Sequence, residues 1–453
     1  MVKILILILL IIIYGIFSKN KNWFIVAFVS LYAILPEYFA IEFSQSLPLL
    51  TASRLLLVLL LLGTVVRLKI RLKIYNPMAA LSKIKFKNPL ILYCGLCLIA
   101  NLTHIKDSPG VLNSIFIIIL QEFILVCLLV INIRTEKVLY QCVDGFIHMS
   151  GIVFFLGIIE AITGWKWAYL LTTVSRQMLQ SSMTRLGINR AEATFGHSVY
   201  FGLFCVVLIP LIMYFYENTK KKKYIVILAL DLLALIFTSS RGALLAGGIL
   251  LILMFLSQSK RMLNTYIKYV LIALCGLLIL GIFSPSLFDA ITGIFKSVLN
   301  ALGFSFELDN YGINQNGTYS RVMQLSVVTW VMMHNPLFGM GPNAQTRGVI
   351  KFFDERGLWV PSNTYDVGYM QILGDLGIVG AIAYLILYVS LLKLTFKEDD
   401  KGDISNMNRA FKWCFVGYLL SMLSIATVNN VFWLIVGLCC AYNDVKKREK
   451  GKK

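Results

Sequence analysis

Long apolar runs recur along the whole chain and constrain its fold more than any other feature. The runs are ~15 to 23 residues long, and hydrophobic residues make up 58% of the 453 positions. A helix of about 20 residues crosses the ~30 Å hydrocarbon core of a bilayer, and only helices and closed barrels satisfy every backbone polar group there. The sequence therefore predicts an all-α, polytopic transmembrane helical bundle, because a soluble protein of this composition would lack the polar surface to cover itself.

The runs divide into about 12 to 13 membrane-spanning helices. Their predicted spans are 2–18, 23–36, 48–66, 89–106, 111–133, 142–163, 198–216, 224–239, 242–257, 268–284, 376–393, 411–428 and 430–443. A stretch of ~90 residues between them is too polar to lie in hydrocarbon. We therefore divide the chain into residues 1–284 with the first ten helices, one large loop over 285–375 that contains short helices, and residues 376–453 with the last helices and a basic tail.

Basic residues set the predicted orientation of this bundle. The loop over 67–87 carries seven Lys or Arg residues and no acidic residue, and short basic loops stay on the cytoplasmic side of a membrane. Alternation from that loop places most of the 42 Lys and Arg residues, and the C-terminus, in the cytoplasm. The N-terminus and the large loop fall outside, although Lys3 opposes this for the N-terminus. The net charge of +19 is thus a topology signal and an attraction to anionic membrane lipids, and no nucleic-acid partner is expected.

Two arginines lie at the predicted outer ends of helices. Arg241 stands in FTSSRGALLAGG, where two helices meet in a tight hairpin and Ser239 or Ser240 can cap the second one. Free amides at a helix N-terminus favour an anion, and a guanidinium can contact two phosphate oxygens at once. Arg190 precedes another helix in GINRAEATFGHSVYFG. Each arginine either binds a phosphate group of a substrate or contacts lipid headgroups, and both alternatives stay open.

The large loop carries two candidates for proton transfer. His334 precedes NPLFGMGP, which is typical of a helix end followed by a tight glycine turn, and histidine is a natural general base near neutral pH. Asp366 precedes GYMQILGDLGIVG, where the chain re-enters the membrane, so its carboxylate can bind a sugar hydroxyl or cap the helix that follows. The amphipathic stretch 318–333, which contains Arg321, predicts a helix at the membrane interface.

Two carboxylates fall inside predicted membrane helices. Asp231 lies in ILALDLLAL and Glu122 lies in ILQEFIL. A buried carboxylate costs several kcal/mol unless it is paired or protonated, and transporters use such groups as proton relays. The two residues therefore favour a transporter such as a polysaccharide flippase, with an interhelical hydrogen bond as the structural alternative. The sequence has no evident internal repeat of the kind that many transporters contain.

Four segments together resemble the O-antigen ligase/polymerase superfamily. RAEATFGHSVYFGLFCVVLIPL resembles the arginine-containing entry to a central helix of that family, and TSSRGALLAGG resembles its Ser-Arg-Gly hairpin. SRVMQLSVVTWVMMHNPLFGMGPN resembles its R…W…P-L-x-G-x-G segment, and DVGYMQILGDLGIVG resembles the return of its large loop into the membrane. The four segments stand in the family's order, and the resemblance spans roughly residues 185–380.

The resemblance implies a GT-C-like bundle that acts on oligosaccharide repeat units carried by undecaprenyl pyrophosphate. A sugar hydroxyl of one unit attacks the anomeric carbon of another chain, and undecaprenyl pyrophosphate leaves. The implied roles are pyrophosphate binding by Arg190, Arg241 and Arg321, and deprotonation of the acceptor by His334 or Asp366. Because the leaving group is already activated, no cofactor is expected, and the arginines take the place of a metal ion. A chain-length regulator and a flippase are the expected protein partners.

One departure from the family pattern bears on the activity. Ligases that move O-antigen onto lipid A core usually carry His-Asn where this chain has Asp366-Val367. An aspartate there resembles the Wzy-type polysaccharide polymerases. We therefore expect a polymerase of O-antigen, capsule or exopolysaccharide, a multi-pass protein that works at the outer face of the cytoplasmic membrane. A ligase that uses the same lipid carrier is the alternative within the family, and a flippase is the alternative outside it.

Overall fold

The protein is an α-helical bundle with three small β-hairpins. The computed structural model describes residues 22–42, 48–72, 86–108, 110–174, 188–257, 323–354, 356–361, 365–397, 406–425 and 429–450, with short pieces at 3, 8, 184–185, 288–289, 292–293, 295–296 and 299–300. The helices are α1 (Trp23–Tyr32), α2 (Ala52–Leu72), α3 (Lys87–Leu102), α4 (Val111–Asn132), α5 (Glu136–Thr163), α6 (Ser198–Thr219), α7 (Lys222–Phe237), α8 (Arg241–Leu256), α9 (Val327–His334), α10 (Gly368–Lys397), α11 (Met407–Ser421) and α12 (Asn429–Lys450). The antiparallel hairpins pair β1 (Ala40–Ile41) with β2 (Leu50–Thr51), β3 (Thr184–Arg185) with β4 (Ile188–Asn189), and β5 (Lys351–Phe353) with β6 (Trp359–Pro361).

Among the described residues, four helices are long and apolar enough to cross a membrane. They are α4, α5, α6 and the Gly368–Phe396 part of α10, and shorter apolar helices cover Trp23–Tyr32, Ala52–Val66, Lys87–Leu102 and Arg241–Leu256. This composition confirms the prediction of an all-α integral membrane protein. The predicted spans 2–18 and 268–284 lie outside the described residues, apart from Lys3 and Ile8.

Helix α6 lies at the centre of the bundle. Of the apolar stretch of α6, 89% is buried inside the protein, whereas the corresponding share for α10 is 39%. Helices α5, α7, α8 and α11 pack around α6. Close packing depends on small residues, because a Cβ on Gly202 of α6 would lie 2.6 Å from the Cβ of Ala243 in α8.

Several connections of the described part of the chain meet at one end of the bundle, which we call the loop face. It includes residues 33–42, 48–51, 103–108, 110, 164–174, 184–185, 188–197, 238–240, 323–354, 356–361, 365–367 and 422–425. Segments far apart in sequence meet there: Thr173 donates to the carbonyl oxygen of Tyr38 at 3.1 Å, and Ala191 to that of Phe237 at 3.0 Å. Polar residues that are up to about 200 positions apart in the sequence therefore lie close together on the loop face.

Helix α10 begins eight residues earlier than predicted and is kinked at Gly377, whose φ of 62° and ψ of −158° are not helical. The turn after α9 inserts its backbone into the kink. The hydrogen bonds run from Met340 N to Gly374 O (2.8 Å), Gly341 N to Asp375 O (3.0 Å), Ile378 N to Pro336 O (2.9 Å) and Val379 N to Leu337 O (3.0 Å). The groups that a kink frees in a helix are thus paired with the loop, and the part of α10 after the kink agrees with the predicted span 376–393.

The predicted amphipathic helix over 318–333 is interrupted within the described residues. Met323 and Gln324 are helical, Leu325 and Ser326 form a turn, and α9 begins at Val327, while residues 318–322 with Arg321 lie outside the described residues. The predicted helix end at His334 is confirmed. Asn335 leaves the helical conformation, and Gly339 and Gly341 follow with φ of 70° and 81°, values that favour glycine because it has no Cβ.

Candidate active site

Arg190 is attached to the end of α7. It follows the hairpin of β3 and β4, and its Nε donates a hydrogen bond to the carbonyl oxygen of Thr238 at 3.1 Å. The next amide, that of Ala191, donates to the carbonyl oxygen of Phe237 at 3.0 Å. These two bonds hold the guanidinium beside the turn that leads from α7 into α8. Thr238 in this turn lies three residues before Arg241.

Arg241 opens α8 and lies close enough to Arg190 for their charges to interact. Burial lowers the pKa of Arg190; the carboxylate of Glu192 raises it, and the charge of Arg241 lowers it further. Ser240 occupies the N-cap position, as predicted, but its side chain makes no capping hydrogen bond. Two arginines beside a helix N-terminus without that cap form an arrangement suited to an anion.

The turn after α11 connects Arg241 with Asp366. Its Ser424 packs against Gly242, so closely that a Cβ on Gly242 would collide with the Ser424 side chain. Met422 of the same turn accepts a hydrogen bond from the amide of Gly368 at 2.9 Å, two residues after Asp366. The first residues of α8 and of α10 therefore contact a single turn, which brings Arg241 and Asp366 to the same part of the loop face.

Gln324 orients Asp366. The amide of Asp366 donates to Gln324 Oε1 at 2.9 Å, and Gln324 Nε2 donates to Asp366 Oδ2 at 3.4 Å. Gln324 is buried, whereas Asp366 is half-buried. Within the described part of the chain the carboxylate accepts no hydrogen bond from the first amides of α10, so it does not cap that helix. One carboxylate oxygen is left for a ligand.

His197 lies close enough to both Arg190 and Asp366 for their charges to act on its imidazole. Burial and the charge of Arg190 lower its pKa to about 4, although Asp366 acts in the opposite direction. Its Nδ1 accepts a hydrogen bond from the amide of Val199 at 3.1 Å. A neutral imidazole whose Nδ1 is an acceptor carries its proton on Nε2, so His197 presents a neutral N–H donor to the site.

Sequence reasoning missed the residues that support Arg190. Glu160 at the end of α5 accepts hydrogen bonds from the amides of Glu192 (3.2 Å) and Ala193 (2.9 Å). The Glu192 carboxylate in turn lies 2.8 Å from Lys166 Nζ and accepts from the hydroxyl of Tyr169. No sequence motif identifies these residues, because they belong to different segments that come together only in the folded bundle.

His334 lies at the end of α9. Its side chain is exposed and its ring stacks on that of Trp330, with 3.9 Å between the centroids. In the described part of the structure, no hydrogen bond or ring contact joins His334 to Arg190 or Asp366. The charge interactions link Arg190 to Arg241 and, through His197, to Asp366, while Arg321 lies outside the described residues.

The two membrane carboxylates lie beside side chains of other helices. Asp231 is fully buried in α7 beside the Cys205 thiol of α6, and neither of its carboxylate oxygens has a hydrogen-bond partner among the described residues. Glu122 lies in a π-helical stretch of α4 (Ile117–Ile124), within hydrogen-bonding reach of Tyr93 and Trp433. Among the described residues each therefore has a neighbour from another helix, as expected for an interhelical contact.

One comparison with known proteins covers part of the chain that contributes to this candidate site. No curated protein matches the chain. Residues 224–385 match the family model described as O-antigen ligase, and this range includes Arg241, Arg321, His334 and Asp366. Proteins of this family are glycosyltransferase-like membrane enzymes with lipid-linked glycan substrates. The match supports the resemblance of residues 224–385 of this integral membrane protein to the O-antigen ligase/polymerase superfamily.

Proposed function

We propose that the protein polymerises oligosaccharide repeat units carried on undecaprenyl pyrophosphate. The acceptor hydroxyl attacks the anomeric carbon of the donor chain, the bond from that carbon to the pyrophosphate oxygen breaks, and the acceptor proton passes to a base. Atoms and charge balance without a cofactor, because the pyrophosphate leaves with the bonding electron pair. We further propose that no metal ion takes part, because the arginines supply positive charge that stabilises the leaving group.

The convergence of Arg190, Arg241 and Asp366 at one part of the loop face carries this proposal. The two arginines lie beside the N-terminus of α8, and Arg190 is partly withdrawn from water. Hydrogen bonds to a developing anion are strongest in such a water-poor site and lower the barrier most. A pyrophosphate bound there would keep its polyprenyl chain in the membrane, next to the apolar helices of the bundle.

Asp366 is the base that the geometry favours. Its carboxylate is held by Gln324, and its charge acts on His197, as does the charge of Arg190. A general base must lie within hydrogen-bonding distance of the proton that it removes, and the ring of His334 is stacked on that of Trp330. We assign to His197 the donation of its Nε2–H to a phosphate or sugar oxygen.

Loss of the arginines tests the proposal. In a strain that lacks the protein, we expect wild-type complementation to restore long-chain polysaccharide, whereas Arg241→Ala and Arg321→Ala abolish it at normal protein levels. Arg356→Ala is the matched control, because that side chain is 77% exposed at the tip of the β5–β6 hairpin. Unchanged chain length in both Arg241→Ala and Arg321→Ala would contradict the proposed role.

The same strain separates the alternatives. A polymerase leaves single lipid-linked repeat units at the outer face when it is deleted, whereas a flippase leaves them inside. A ligase leaves long chains on the lipid carrier and removes only their transfer to the final acceptor. The aspartate at position 366, where ligases usually carry histidine, supports the polymerase.

The proposed orientation puts the loop face outside the cytoplasmic membrane and the C-terminus in the cytoplasm. The basic residues at the end of α12 support it, because they lie at the opposite end of the bundle from the loop face. Cysteines introduced at Thr346 and at Glu449, both exposed, test it with a membrane-impermeant maleimide. Labelling of intact cells at position 346 and not at 449 is expected, and the reverse pattern would overturn the orientation.

A further inference from the structure

A cluster of aromatic rings lies on the loop face outside the site described above. The ring of His334 stacks on that of Trp330, with 3.9 Å between centroids, and Trp330 lies 5.0 Å from Trp359. Phe353 lies 3.9 Å from Trp359 on its other side. The four residues form a continuous surface contributed by α9 and the β5–β6 hairpin, which we call the aromatic surface.

Hydrogen bonds and buried side chains fix the rings on one side, and the other side is exposed. Trp330 Nε1 donates to the carbonyl oxygen of Val349 at 2.9 Å, and the amide of Phe353 donates to Ser326 Oγ at 2.8 Å. Val327 and Val331 are fully buried beneath them. Phe353 and His334 are exposed and the two tryptophans are partly so. A rigid aromatic surface binds a ligand at little cost in side-chain entropy.

Polar groups surround the rings. Lys351 Nζ lies 5.2 Å from the centroid of Trp330. His334 Nδ1 contacts the carbonyl oxygen of Trp330, while its Nε2 has no hydrogen-bond partner among the described residues. Burial of the Lys351 charge in hydrocarbon would be costly. A sugar ring, which has an apolar C–H face and hydroxyl groups at its edge, satisfies both the aromatic faces and the polar groups.

The aromatic surface continues from the proposed base. Gln324, which holds Asp366, lies six residues before Trp330 and ten before His334. Ser326, two residues after Gln324, accepts the amide hydrogen bond of Phe353 at 2.8 Å, which joins this segment to the aromatic surface. A glycan whose terminal unit lies at Asp366 would therefore reach Trp330 and His334 with the units that follow.

We propose that the aromatic surface binds the glycan chain a few sugar units away from the reacting hydroxyl. This inference rests on the proposed function, because it names where that reaction holds its polymeric substrate. It also assigns a role to Trp330 and His334 that does not require either of them to take part in proton transfer.

Direct binding tests the inference with the full chain in nanodiscs. The probe is the polysaccharide purified from the envelope of the source strain, shortened by partial hydrolysis to two to ten repeat units. We expect Trp359→Leu and Phe353→Ala to weaken binding at least 10-fold. Trp165→Leu is the matched control, because Trp165 is 56% exposed in another segment of the loop face, and its affinity should equal that of the wild type.

Two outcomes would overturn the inference. One is wild-type affinity in both Trp359→Leu and Phe353→Ala. The other is quenching of Trp359 fluorescence by brominated lipids, which would show that the surface is inserted in the bilayer. The binding assay needs neither donor nor turnover. Intact binding with no transfer activity in the wild type would therefore contradict the proposed function alone, whereas transfer with unaltered binding in the variants would contradict this inference alone.

Discussion

Arg190 Nε donates a hydrogen bond to the carbonyl oxygen of Thr238 at 3.1 Å, and this bond joins the segment before α6 to the turn that carries Arg241. A lysine at position 190 keeps the charge but has no guanidinium to bind Thr238 and an anion together. We expect Arg190→Ala to lower transfer by roughly 10²- to 10³-fold, as for the loss of one oxyanion donor, and Arg190→Lys to recover only part of this.

Radiolabelled transfer from a lipid-linked donor measures both variants, and detergent-solubilised yield controls for folding. Arg356→Ala, at the exposed hairpin turn, should retain wild-type transfer. Full activity in Arg190→Lys would mean that charge alone matters and that the bond to Thr238 has no part in positioning.

His197 should make stability depend on pH. Its pKa is about 4 in the folded protein, against an ordinary value of 6.5, so between these values the unfolded chain binds a proton that the folded chain does not. The contribution of His197 to the free energy of unfolding is fully present above pH 6.5. It is lost as the pH falls to 4, by about 3 kcal/mol in all. We expect the unfolding temperature of the purified protein to fall over this window.

Asparagine at position 197 isolates this effect. Its side-chain oxygen can still accept the amide hydrogen bond of Val199, because asparagine is a good N-cap, but it does not titrate. His197→Asn should therefore fold and lose much of the pH dependence between 6.5 and 4. A slope equal to that of the wild type would assign the dependence to other groups.

Asp366 should be needed for turnover rather than for folding. Asp366→Asn keeps the shape of the side chain and can still bond with Gln324, but an amide cannot take up the acceptor proton. General bases contribute about 10²- to 10⁴-fold to rate, so we expect transfer to fall by that factor while binding of the lipid-linked donor is retained. Asp107→Asn, an exposed carboxylate of the loop face, is the control. Equal transfer by Asp366→Asn and wild type would exclude Asp366 as the base.

Periodicity predicted the bundle well, since apolar runs report directly on burial in lipid. The predicted spans 198–216, 224–239 and 242–257 agree with α6, α7 and α8 to within a few residues. The last helix runs seven residues past its predicted end at 443 to Lys450. Its basic residues are compatible with a helix C-terminus, where they complement the helix dipole, although they are too polar for a membrane span.

The site was only partly predictable. The sequence predicted Arg190 and Arg241 as site residues because arginine is unusual at the edge of an apolar run. His197 and Glu160 could not be assigned in this way: the first depends on Asp366, and the second on amides of a distant loop. Such partners arise from tertiary contacts between segments that show no common pattern in the sequence.

The close approach of Gly339 to Gly377 should hold the large loop on α10. A Cβ on Gly339 would lie 2.5 Å from Gly377 N and 2.8 Å from Gly374 O, both backbone atoms that cannot give way cheaply. Gly348 has a similar φ of 67° but open space around its Cα, so Gly348→Ala carries only left-handed strain, about 1 kcal/mol. We expect Gly339→Ala to cost about 1 to 3 kcal/mol more, from the overpacking. Hydrogen exchange should then accelerate at residues 340, 341, 378 and 379, whose amides bond across the kink, and equal protection in both variants would show that the kink holds without this contact.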